Sequence, residues 1–230
     1  MYTLEDLKTN RDAQITVASI TFFLLAFPLY FGIAAGNADG SLGGGVADYQ
    51  VNGEITYVLL DSGSESIADG SPWTSTFNTD AINDADELNI VGVEIRLSYG
   101  EDEQPRGLPC GSQTAPDTIS GTVSHLEFTN TGTGTNAGGN GAHDVAATWY
   151  NTSMVGAVVS VLSMSEIRAQ LDSDGAGLGD HSAEISVAAD GDSCVTPVGG
   201  QNQDGGEEVS WEVHLMVLEY TIAPYIEVEV

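Results

Sequence analysis

Two hundred and thirty residues carry 34 Asp and Glu against 5 Lys and Arg, a formal net charge of −29. Such a surface repels phosphate, which excludes sequence-general nucleic-acid binding and docking onto anionic lipid. Hydrophobic residues make up 41% of the chain and are patterned along it, so the charge does not imply disorder and a buried core is within reach.

Residues 1–14 (MYTLEDLKTNRDAQ) read as a polar tail holding Lys8 and Arg11. Residues 15–36 (ITVASITFFLLAFPLYFGIAAG) contain no charge. At about 1.5 Å per residue they extend roughly 33 Å, the thickness of a bilayer core, and Pro28 predicts a kink within the span. No cation follows until Arg96, so the positive-inside rule places residues 1–14 in the cytoplasm and everything after Asn37 outside. The alternative is a cleaved secretory signal ending near Gly36-Asn37-Ala38. The long apolar run and the leader acids Glu5, Asp6 and Asp12 favour a retained anchor; both readings export the bulk of the chain. Three acids precede the apolar run and 31 follow it, against Arg96, Arg106 and Arg168.

Residues 37–50 predict a Gly-rich tether, and residues 51–230 an extracytoplasmic domain. Within it, 51–60 (VNGEITYVLL) alternates weakly, while 89–99 (NIVGVEIRLSY) sets Val91, Val93, Ile95, Leu97 and Tyr99 on one face. Residues 119–128 form the next strand and 129–143 (TNTGTGTNAGGNGAH) a loop. Further strands are predicted at 145–150, 154–162, 184–188 and 209–220, the last with Val209, Trp211, Val213, Leu215 and Val217 inward. Residues 226–230 end the domain as an edge strand guarded by Glu227 and Glu229. One short helix is expected from the capping-box spacing of Ser163 and Glu166, with Ile167 and Leu171 on one face and Gly175 ending it. The fold class is thus all-β: an antiparallel β-sandwich, jelly-roll or immunoglobulin-like, preceded by one N-terminal transmembrane helix.

In an exported domain, Cys110 and Cys194 predict a disulfide, worth roughly 4 kcal/mol in the chain-entropy model. Asn151-Thr152-Ser153 is a glycosylation sequon at Asn151. Asp172, Asp174 and Asp180, with Gly177 at the sixth position, resemble the calcium loops of EF-hand, dockerin and thrombospondin type-3 repeats. That resemblance implies Ca²⁺ held by Asp172, Asp174, Asp180 and Glu184, with Ala176 standing where those families place Asp or Asn. Asp84, Asp86 and Glu87, and Glu101, Asp102 and Glu103, flank the strongest strand as further oxygen donors. The cupredoxin spacing from Cys to His is missing after Cys194, and no GxSxG, HExxH or CxxC occurs. Trp73, Trp149 and Trp211 are candidates for sugar stacking, with Trp211 assigned to the core.

Lysine depletion with dense carboxylates resembles proteins from high-salt archaeal sources, where salt screens the mutual repulsion. One exported β-domain behind one span is similar to archaellar stator subunits; the pilin cleavage pattern is absent. The stretch NIVGVEIRLSYGEDE followed later by GLGDHSAEISVAADGD resembles the P-domain-like jelly-roll modules of secreted proteases. The expected protein is not an enzyme. It is a single-pass, membrane-anchored cell-surface sandwich that binds or scaffolds other membrane or surface proteins, with Ca²⁺ its one expected ligand. The alternative is an accessory subunit of a larger membrane or filament complex, its helix packed against other spans.

Overall fold

The alternation in residues 89–99 becomes strand β3 (Ile90–Tyr99) in the computed structural model, with Val93, Ile95 and Leu97 at most 1% exposed. The structure describes residues 48–100, 116–136, 139–190 and 205–226, together with Arg11, Gln14, Ile15, Val17 and residues 19–27. The chain divides into two units, Met1–Val46 and Ala47–Val230.

In the first unit the described residues are helical. Among the described residues no helix is long and apolar enough to cross a membrane. The longest unbroken stretch, residues 19–27, extends about 14 Å against a hydrocarbon core of roughly 30 Å. The span expected over 15–36 is therefore not met by the described helix; residues 28–36, with Pro28, lie outside the described residues.

The second unit is all-β, built from two antiparallel sheets. Its strands are β1 (Tyr49–Ala68), β2 (Trp73–Asn78), β3, β4 (Thr118–His125), β5 (Phe128–Thr135), β6 (Gly141–Thr148), β7 (Val158–Val159), β8 (Asp180–Ala188) and β9 (Gly206–Pro224). One sheet has the order β6-β3-β9-β1-β7 and the other β2-β8-β4-β5. β1 begins at Tyr49, two residues inside the expected tether, and pairs with β9 along its whole length with one register shift between Leu59 and Asp61. Facing side chains of both sheets interdigitate: Val93, Ile95, Leu97, Val209, Trp211 and Val213 from one, Phe77, Ile119, Val123, Ile185 and Val187 from the other. Burying each aliphatic side chain of this kind stabilises by about 1.5–3 kcal/mol.

The expected helix forms as α1 (Met164–Leu171). Ser163 and Glu166 make the reciprocal capping box, which holds the exposed Glu166 carboxyl below its usual range through the Ser163 backbone N–H. Ile167 and Leu171 are fully buried against Tyr49, Val51, Val91 and Leu218, so α1 covers the outer side of the five-stranded sheet at one end. Helix formation stops at Leu171, before Gly175, because the Asp172 N–H closes the last turn onto Arg168 O.

Three expectations change. Residues 129–143 are not one loop: β5 pairs with β4 in unbroken register from His125↔Phe128 to Thr118↔Thr135. Residues 154–162 are not a strand beyond Val158–Val159, because Gly156 and Val161 turn the chain at φ 81 and 70° and Met154, Val155 and Leu162 pack onto α1's cluster instead. Trp73–Asn78 is a strand outside the expected set, with Trp73 and Phe77 turned to the core. Ile226 is not in a strand and residues 227–230 lie outside the described residues.

Candidate functional site

The chain between α1 and β8 is the segment expected to hold calcium. Asp172 caps α1 and accepts a 2.6 Å hydrogen bond from the Tyr220 hydroxyl. Desolvation, then this bond, push Tyr220 above its ordinary range. Asp174 sits at φ 48°, exposed, in the left-handed region where Asp is tolerated. Asp180 accepts from the Asn78 amide at 2.6 Å on the neighbouring strand β2. Glu184 stands exposed on β8 between Thr74 and Thr122. Asp172 and Asp180 are thus bonded to different elements, β9 and β2, while Asp174 and Glu184 stand exposed. Among the described residues no three His, Cys, Asp or Glu are placed to hold a metal ion, the acids 84–87 included.

The loop's carbonyls are occupied by imidazoles rather than turned to an ion. His125 Nε2 lies 2.6 Å from Ala176 O and its Nδ1 2.9 Å from Asp180 O. His181 Nε2 donates to Gly177 O at 3.0 Å, and its buried Nδ1 has no partner among the described residues. The two rings stack 4.1 Å apart beside Trp149 and Phe128. Burial, then the charge of His125, lower His181 to about 4. Both histidines lie on the inward phase of their strands, with Val123 and Ala183, and that phase is the signal for their burial.

Elsewhere, Asn136 donates to Asp117 Oδ2 and to Glu207 Oε1, both at 3.1 Å, and its Oδ1 receives the Asp117 N–H. All three are at most 1% exposed and tie together the ends of β4, β5 and β9. No sequence pattern announced this group. The sequon carboxamide of Asn151 is engaged internally: it accepts from Ser153 and donates to Gln170 at 2.7 Å. Cys110, Cys194 and the acids 101–103 lie outside the described residues.

The outer face of β2-β8-β4-β5 is the most uniform surface of the head. Register sets Thr76, Ser182, Ser124 and Thr129 in one cross-strand row and Thr74, Glu184, Thr122 and Thr131 in the next. Ser186, Ser120 and Thr133 continue the pattern, followed by Ala188, Thr118 and Thr135. Hydroxyls bond across strands, Thr122 to Thr131 at 2.9 Å and Ser124 to Ser182 at 2.6 Å. A shallow depression of about 460 Å³ opens between Thr74, Thr76, Thr122, Ser124, Ser182 and Glu184. Glu184 is the one charge in these rows. The outer face of the other sheet is charged instead: Glu94 binds Arg96 at 2.7 Å, Arg96 lies over the Tyr57 ring at 4.4 Å, and Glu212 meets His214 at 2.9 Å. Hydroxyls donate and accept without charge, so the first face suits a neutral polar partner, whereas the second is set against anions. Sequence reading missed the hydroxyl face because Thr129–Thr135 was assigned to a loop; its signal is a threonine at every second position. Comparison with protein-family models and with curated proteins finds no match to this chain.

Proposed function

We propose that this chain is a single-pass, membrane-anchored cell-surface protein whose β-sandwich head serves as a binding and scaffolding module. The observation that carries the reading is the hydroxyl face of β2-β8-β4-β5, whose rows hold Glu184 as their one charge with Asp180 at their end, on a chain of net charge −29. A surface under no constraint on a chain this acidic would share more of the charge; this one is dominated by hydroxyls bonded across strands, as a docking face requires. The strand order supports a jelly-roll rather than an immunoglobulin-like head. β8 inserts between β2 and β4, and β9 between β1 and β3, the nesting of two Greek keys.

The anchor reading rests on residues 22–25 and 27, where Phe22, Phe23, Leu24, Leu25 and Phe27 are each more than half exposed on a helix apolar all round. Such a helix needs lipid or protein around it. That same feature supports the second reading, an accessory subunit whose helix packs against other spans. Calcium has no part in the proposal.

A photo-crosslinking residue in place of Thr74 or Ser182, in full-length protein in its own membrane, gives a discrete adduct, and the same residue in place of Glu208 gives none. Equal labelling at both faces, or none at either, refutes the docking face. Release of the protein by alkaline carbonate refutes the anchor.

A further inference from the structure

Four strand edges end the two sheets, and they are treated differently. The edge of β1 beyond Gln50 has no ladder partner among the described residues, but it carries Glu54, Asp61 and Glu65 and the register shift after Leu59. Charges and bulges of this kind blunt an edge against pairing. β6 carries Asp144, and β2 is six residues long and runs into the acidic segment 80–87. β5 has none of these devices. Phe128-Thr-Asn-Thr-Gly-Thr-Gly-Thr135 has no charge, no proline and no register shift over eight residues, and its outer edge meets no backbone partner among the described residues.

The core holds β5 in place. A Cβ on Gly132 would fall 2.7 Å from the Val145 side chain, and one on Gly134 would overlap the Tyr99 hydroxyl and the His143 ring. The two glycines let the strand lie directly on these side chains, so its edge is fixed before any partner arrives. Threonines 129, 131, 133 and 135 all face outward.

We propose that β5 is a self-association edge, on which a second copy of this chain pairs its own β5 antiparallel about a two-fold axis, joining two hydroxyl faces into one eight-stranded sheet. The inference deepens the docking-face reading above and rests on it. Charge selects the occupant. Two copies that each carry −29 repel through most approaches, and this edge brings no acid opposite an acid. With Gly132 opposite itself, Thr131 faces Thr133 and Thr129 faces Thr135, and threonine pairs stabilise cross-strand contacts. The hydroxyl bond already made between Thr122 and Thr131 is of the kind the new rows would repeat. The same operation on β1, centred on residues 55–60, sets Glu54 against Asp61 and is repelled.

The test is sedimentation equilibrium of the full chain in mild detergent, from low to about 2 M NaCl, where charge repulsion is screened to about 3 Å or less. The expected result is a reversible dimer that tightens with salt. Thr131→Asp with Thr133→Asp places like charges opposite each other and weakens it at least tenfold, while Thr131→Ser with Thr133→Ser preserves it. Hydrogen exchange on the unmodified protein adds a readout needing no variant: β5 amides gain protection at high protein concentration. A monomer under every condition overturns the proposal. So does a dimer indifferent to the acidic pair, as association through the N-terminal helix would be, and so does protection appearing along β1. A photo-adduct at Thr74 or Ser182, three and two strands from the β5 seam, reads the docking face alone, so the face and this pairing fail separately.

Discussion

Replacing His181 with Phe removes a proton acceptor that the fold keeps empty, and the consequence follows from linkage. Folded His181 takes up its proton only near pH 4, because burial and the adjacent His125 oppose the charge while Gly177 O and Asp180 favour it. In the unfolded chain a histidine protonates near 6.5. Below about pH 6.5 the unfolded state therefore binds a proton that the folded state refuses. Stability falls as pH falls, and the loss levels off near pH 4, where the folded ring protonates too. At pH 5 this one group removes about 2 kcal/mol relative to neutral pH. For a unit of this size that corresponds to roughly 4–8 °C of melting temperature. His181→Phe keeps a ring stacked on His125 and loses the bond to Gly177 O, so it starts lower at neutral pH by about 1 kcal/mol. Its decline between pH 7.5 and 5 is shallower than that of the unmodified protein by those same 4–8 °C. The many surface carboxylates titrate alike in both proteins and cancel in the difference. Thermal melts followed by circular dichroism at fixed ionic strength measure it. Parallel curves for the two proteins refute the buried neutral His181.

Three further outcomes follow from particular contacts. Gly134→Ala drives a methyl into Tyr99 and His143 and destabilises the head by about 1–3 kcal/mol, read from denaturant midpoints. Ser163→Ala removes the capping box of α1 and costs about 0.5–2 kcal/mol, read in the same titration. Millimolar Ca²⁺ at constant ionic strength leaves the melting temperature unchanged, since Asp172, Asp174, Asp180 and Glu184 do not converge; a rise of several degrees would show that they do.

What the sequence revealed depended on whether burial alone set the pattern. In β3 and β9 most inward positions are aliphatic or aromatic, so period-two alternation located both strands and their core faces, except at Val91, which the register shift between Ile90 and Gly92 sends to the cluster under α1. The Ser163–Glu166 spacing announced α1 because a cap is a local device. β5 was hidden because its inward positions are Asn130, Gly132 and Gly134. Close approach to Tyr99, His143 and Val145 forbids a side chain at Gly132 and Gly134, and glycine otherwise signals a loop. The calcium motif failed to foretell its own geometry for a related reason. Oxygen donors at the right spacing are necessary for a cation site, but which way their carbonyls face was decided by two histidines, one 51 residues away in sequence and bonded to Ala176 O.

The large charge and the neutral face are two sides of one device. An interface becomes specific as much by excluding wrong contacts as by favouring the right one. On the five-stranded sheet Glu94, Asp144, Glu208 and Glu212 occupy outward positions, and the edge of β1 adds Glu54, Asp61 and Glu65. An approaching copy, or any acidic protein, meets repulsion there. Salt shortens the reach of that repulsion without supplying contacts of its own. The rows of Ser and Thr on β2-β8-β4-β5, broken by the single charge of Glu184, offer contacts with little repulsion, and only in the registers their pleat allows. High salt therefore permits close approach from every side, yet leaves the hydroxyl face and the β5 edge as the places where approach is rewarded by unblocked hydrogen-bonding groups. Acidity spread over the rest of the head is what lets so plain a surface act as a selective one.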